Sequence, residues 1–217
     1  MGWCPIHRCV FRRDLPALCQ ILSETPRVPP SAATSSLSFP SSYVLPSPTT
    51  LRLPTSFIDE PSAFNCTALM LAVGEGLGAM AMILVAHGAD VNLRDDNGLS
   101  ALYLGCMRGH ASIVSFLLYK GADPTVTSQR DNTSCLHIAV LHHYAHCVHA
   151  LLHGLPPDLR QALLQHRDAF DHTALDYAVE GRDTRIVKIL LSAGADPYAP
   201  GPSGRSVVEQ AKAEEDK

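Results

Sequence analysis

An all-α solenoid of stacked helix-turn-helix units with projecting turn fingers is the fold class this sequence predicts, and three observations predict it. A seven-residue segment recurs as TALMLAV from Thr67, SALYLGC from Ser100, SCLHIAV from Ser134, TALDYAV from Thr173 and SVVEQAK from Ser206, with starts 33, 34, 39 and 33 residues apart. Gly-Ala-Asp recurs at 88–90, 121–123 and 194–196, each time 21 residues after the Thr or Ser of its segment. Between the two signals, apolar residues return at helical spacing. A fixed period of this length marks an array whose units cannot bury their apolar faces alone.

Each unit opens on a turn. Asn65, Gly98, Asn132, Asp171 and Gly204 stand two residues before the Thr or Ser, and all are residue types that tolerate a left-handed backbone. The hydroxyl residue that follows suits a helix N-cap, because its oxygen accepts from the free N–H groups of the first turn. A first helix then shows Leu69, Ala72 and Val73, or Leu136, Ala139 and Val140, at i, i+3, i+4; a second repeats the pattern with Ile113, Val114, Leu117 and Leu118. Gly88, Gly121 and Gly194 fall just past the second helix, where a left-handed residue ends it. Small residues at Ala72, Gly105, Ala139 and Ala178 allow close approach between units.

These signals resemble the ankyrin repeat, whose pattern runs G-x-T-P-L-H-x-A-A-x-x-G-H, an apolar helix, then G-A-D. The copy at 100–124 matches most fully, with Gly98, Ser100, Leu102, Gly109, His110, Ile113, Val114, Leu117, Leu118 and Gly121-Ala122-Asp123 in register. The resemblance covers 63–211. A divergent copy opens the chain, where Cys4-Pro5-Ile6-His7 lies on T-P-L-H and Leu18, Ile21 and Leu22 form the second stripe. The expected organisation is a divergent first repeat at 1–24, a Pro/Ser-rich linker or insertion at 25–62, and a repeat domain at 63–217. Within that domain, repeats lie near 63–95, 96–128, 130–165 and 168–200, with a partial, polar cap at 201–217.

Two places break the period. Cys4 to Thr67 spans 63 residues where 33 suffice, yet lengthening a connection from about 12 to about 42 residues costs only about 1 kcal/mol in closure entropy. Docking of the first copy therefore depends on whether Ile6, Val10, Leu18, Ile21 and Leu22 meet a facing apolar surface. The insertion also holds Thr25-Pro26 and Ser47-Pro48, of proline-directed phosphorylation type, and a P-x-x-P at 26–29 beside Arg27; plain spacer is the expected reading. At 154–168, Pro157, Asp158, Leu159, Leu163 and Leu164 predict a short extra helix with an acidic first turn.

Composition removes several function classes. With 46% hydrophobic and 18% charged residues and net charge −4, the chain has no basic footprint for nucleic acid. No apolar stretch approaches the roughly 18–20 residues that span a bilayer. Seven scattered cysteines without C-x-x-C read as reduced core thiols of a cytoplasmic or nuclear protein. No G-x-S-x-G, H-E-x-x-H or phosphate loop occurs. His146, His149 and His153 share one helical stripe, but no carboxylate or thiol completes a tetrahedral set, so no metal, no cofactor and no catalytic residue is expected. His137 matches the T-P-L-H histidine, which the resemblance implies is structural.

The resemblance implies a non-enzymatic scaffold or adaptor that binds a protein partner in a concave groove, as a monomer. Register nominates finger residues Arg94, Asp95, Asp96, Gln129, Arg130 and Asp131 and first-helix residues Tyr103, Met107, Arg108, Leu141 and His142 for that contact. Tyr103, Met107, Arg108 and Leu141 carry most weight, being of hot-spot type if exposed; the other reading is that they simply pack between repeats. The alternative is a substrate-recognition subunit of a ubiquitin ligase of the SOCS-box type, whose box is not found after residue 211.

Overall fold

A computed structural model describes residues 4–24, 57–202, 204 and 206–209. The Thr-Pro, Ser-Pro and P-x-x-P motifs of 25–56, and the polar tail after 209, lie outside the described residues.

Among the described residues the named α-helices are, in chain order, α1 Pro5–Arg12, α2 Leu15–Glu24, α3 Ala68–Gly74, α4 Gly78–Ala86, α5 Ala101–Arg108, α6 Ala111–Tyr119, α7 Cys135–Leu141, α8 Ala145–Gly154, α9 Pro157–Gln165, α10 Ala174–Glu180 and α11 Thr184–Ser192. The hydroxyl residues are the caps that the sequence predicts. Thr67, Ser100, Ser134 and Thr173 each accept from the backbone N–H three residues on, and Ser206 does the same for Glu209. All five turn residues have φ between 54° and 79°, as do, near 84–98°, the glycines after α4, α6 and α11.

The helices form two rows. First helices α1, α3, α5, α7 and α10 pack in succession, and second helices α2, α4, α6, α8 and α11 pack behind them. One continuous core runs between the rows and from end to end. Ala72, Ala139 and Ala178 are fully buried where neighbouring helices meet. At Gly105 a Cβ would sit 3.2 Å from Val73 and 3.3 Å from Val114, so glycine here lets α5 approach both α3 and α6.

The first copy docks. Ile6, Val10, Leu18 and Leu22 are buried and Ile21 is half-buried; at about 1.5–3 kcal/mol per large side chain fully buried, this outweighs the closure entropy of the insertion. Residues 57–62, placed in the linker from sequence, also pack: Ile58 is buried, and the Asp59 carboxylate accepts from Asp90 N–H at 3.1 Å. The extra helix is α9, anchored by buried Leu163 and Leu164, while Leu159 remains exposed. No helix among the described residues is long and apolar enough to cross a membrane.

Candidate protein-binding groove

At Tyr103 and His137 the position three residues after the cap ties one repeat to the next, whereas Met70 and Asp176 bond back to their own caps, Thr67 and Thr173. His137 Nδ1 meets Ser134 Oγ at 2.8 Å, and its Nε2 meets the carbonyl of His172, just before the next cap, at 3.1 Å. His7 makes the equivalent contact to the Cys66 carbonyl at 3.0 Å. Burial holds His137 down to a pKa of about 4, against the opposing hydrogen bond with His172. The sequence expectation of a structural His137 thus matches its setting.

Tyr103 occupies the same position in its own repeat, which corrects the expectation that it is exposed. It is 3% accessible, and its hydroxyl pairs with Thr133 Oγ1 at 2.8 Å across to the next finger. The offset from Ser100 equals that of His137 from Ser134, so the signal was present in the register.

The candidate binding surface is the face of the first-helix row turned away from the second helices, together with the fingers. Positions four, seven and eight after each cap line that face, since i, i+3 and i+4 share one side of a helix. The 96–128 repeat contributes half-buried Leu104 and Met107 and exposed Arg108; the 130–165 repeat contributes half-buried Ile138, exposed His142, and Leu141 at 42% exposure. His142 stacks on Tyr144 at 5.8 Å. Leu104 and Ile138 were not singled out from sequence; their shared position after the cap was the available clue.

Fingers are joined by backbone hydrogen bonds: Asp96 N–H to the Phe64 carbonyl at 3.2 Å, Gln129 N–H to Asn97 at 3.1 Å, and Ala169 N–H to Asp131 at 2.9 Å. Asn65 and Asn132 side chains donate to the Arg94 and Arg167 carbonyls at 3.0 Å. Of the nominated finger residues, Asp96, Gln129 and Arg130 are exposed, and Arg94 faces Asp123 at 3.8 Å. Asp95 and Asp131 are half-buried turn builders. Asp95 Oδ1 accepts from the Asn97 and Leu99 amides, and Asp131 Oδ1 from the Thr133 amide and hydroxyl. Burial raises the Asp131 pKa, but those hydrogen bonds outweigh it and hold the carboxyl below its ordinary range. Two further side chains stand out at fingertips, Phe64 and Phe170, both largely exposed.

A polar cluster supports the fourth finger. Buried Asp168 accepts from the Tyr177 hydroxyl and from the Phe170 and His172 amides. These bonds hold Asp168 below the usual carboxylate range despite its burial, and burial with the same contact pushes the Tyr177 phenol up. His172 stacks on Tyr177 at 4.8 Å. The role is to shape the turn, as Asp95 does before α5.

The histidine stripe of α8 lies on its exposed side, with Cys147, Val148, Leu151 and Leu152 buried beneath it. Among the described residues, no group of three His, Cys, Asp or Glu is placed to hold a metal. The seven cysteines are free thiols; burial pushes Cys66 and Cys147 up to about 11, which keeps them protonated and unreactive.

The model of the family described as ankyrin repeats (3 copies) matches residues 50–128 and 120–200. The chain belongs to the ankyrin-repeat family. Similar proteins include the transient receptor potential channel pyrexia of Drosophila melanogaster, 31% identical over 69% of this chain and 14% of that protein. Ankyrin repeat domain-containing protein 63 of Mus musculus is 38% identical over 43% of this chain and 25% of its own length. The mitochondrial disaggregase of Bos taurus is 33% identical over 59% of this chain and 18% of its own. The chain thus spans a quarter or less of the length of these relatives. Ankyrin arrays are protein-interaction modules.

Proposed function

We propose that this ankyrin protein is a non-enzymatic scaffold or adaptor that docks a protein partner in its groove. The observation that carries the reading is the half-exposed apolar strip of Leu104, Met107, Ile138 and Leu141, flanked by Arg108 and His142 and by the exposed finger residues Arg94, Asp96, Gln129 and Arg130. Apolar side chains surrounded by charged and polar ones match the anatomy of a binding patch, with a desolvated centre and a wet rim. A reducing working compartment, cytoplasm or nucleus, is supported by the seven free thiols.

Affinity purification from cells, comparing wild type with Met107→Asp/Arg108→Glu, tests the groove. Partners specific to the wild type are expected to be lost from the double variant while its thermal midpoint stays close to wild type. Retention of the same partners at undiminished yield would refute the groove assignment and leave the fold intact.

A further inference from the structure

We infer that His149 and His153 form a two-imidazole chelate for a late transition-metal dication, Zn2+ or Cu2+, on the exposed side of α8. The two residues are four apart, which puts both imidazoles on one helical face, the same spacing that places the paired histidine ligands of helical zinc sites. Their rings lie with centroids 4.0 Å apart and 28° between planes. The rings are stacked here, so their in-plane nitrogen lone pairs run side by side, and a turn about the side-chain torsions brings one nitrogen of each onto a shared metal at 2.0–2.1 Å. Both side chains are exposed, so a metal reaches them without any opening of the core. The platform beneath is fixed, because Cys147, Val148, Leu151 and Leu152 on the opposite side of α8 are fully buried.

Neither His142 nor His143 enlarges this site. His142 is committed to its stack on Tyr144, and His143 Nδ1 pairs with Asp183 at 3.2 Å. No third ligand stands in place among the described residues, so the metal keeps open positions for water or for a donor from outside the chain. Copper(II) is expected to bind more tightly than zinc, following the general affinity order at nitrogen sites. The inference is independent of the groove, which is built by the other row of helices.

Isothermal titration of the full chain with CuSO4 and with ZnCl2, in a buffer that does not chelate, tests it. Wild type is expected to show one dominant site, and His149→Gln and His153→Gln each to weaken it by about tenfold or more through loss of the chelate. His146→Gln and His142→Gln should leave it within about twofold, and circular dichroism should show all four variants folded, since the replaced side chains are exposed. Equal affinity in wild type, His149→Gln and His153→Gln would overturn the assignment, as would an equal loss in His146→Gln.

Discussion

His137 joins three pieces of chain: its own cap at Ser134, the next turn through the His172 carbonyl, and the ring of Tyr177 in edge contact at 6.0 Å. Replacement by Ala removes a buried ring and leaves a carbonyl unpaired, and should destabilise the protein by about 2–4 kcal/mol in urea unfolding. Its pKa also makes stability depend on pH. The folded value, about 4, lies below the ordinary 6.5, so between these pH values the unfolded chain takes up a proton that the folded chain refuses. The contribution is complete above pH 6.5 and is lost as pH falls toward 4, by up to about 3 kcal/mol for a shift of this size. Urea midpoints at pH 7 and 4.5 should therefore differ more in wild type than in His137→Gln; an equal difference would contradict this setting. Tyr103 shows where residue type misleads. An aromatic on a helix of a repeat reads as a hot spot, but counting from the cap puts it in the linking position, and its hydroxyl finds Thr133.

Elements were the most legible level, because each boundary is set by local chemistry visible in a few residues. A residue tolerant of positive φ, then a hydroxyl cap, then apolar spacing of three and four yields a helix start whatever the repeat packs against. The cap at Ser134 also bonds the His137 ring, so Ser134→Ala should cost more than the roughly 1 kcal/mol of a simple cap, and more than Ser100→Ala, as read from urea midpoints. Gly109 ends α5 at φ 79°, and a Cβ there would stand 2.8 Å from the Tyr144 ring. Gly109→Ala should lower stability by more than 1 kcal/mol, with Tyr144→Ala relieving part of the loss in the double variant. Less legible were contacts that join elements distant in sequence. Nothing local in the segment 57–62 announces that Ile58 is buried or that Asp59 receives the Asp90 amide, since the partners are contributed by the next repeat. Counting from the caps places Met107, Arg108, Leu141 and His142 on the outer side of the first-helix row, but it does not divide the exposed finger residues from the turn builders Asp95 and Asp131. Both kinds are polar, and only folding shows whose lone pairs are already occupied.

At the scale of the molecule, stability in such a stack is a sum of neighbouring interfaces, so the α1–α2 pair should contribute although a long stretch of chain separates it from the rest. Val10 is wholly buried at that junction, and Val10→Asp puts an unpaired charge there. Urea unfolding of this variant should show a smaller m-value and a lower midpoint than wild type, because less surface is buried in the folded state; an unchanged curve would mean that α1 and α2 do not dock in solution. The same stacking that buries the core leaves the outer side of the first-helix row and the fingers free along the whole array, and that surface is where binding is assigned. Hydrogen exchange of the chain with and without its captured partner tests this most directly. The account predicts added protection in the fingers at 94–98 and 127–132 and in α5 and α7, with α6 and α8 unchanged; protection confined to α6, α8 and α11 would contradict it.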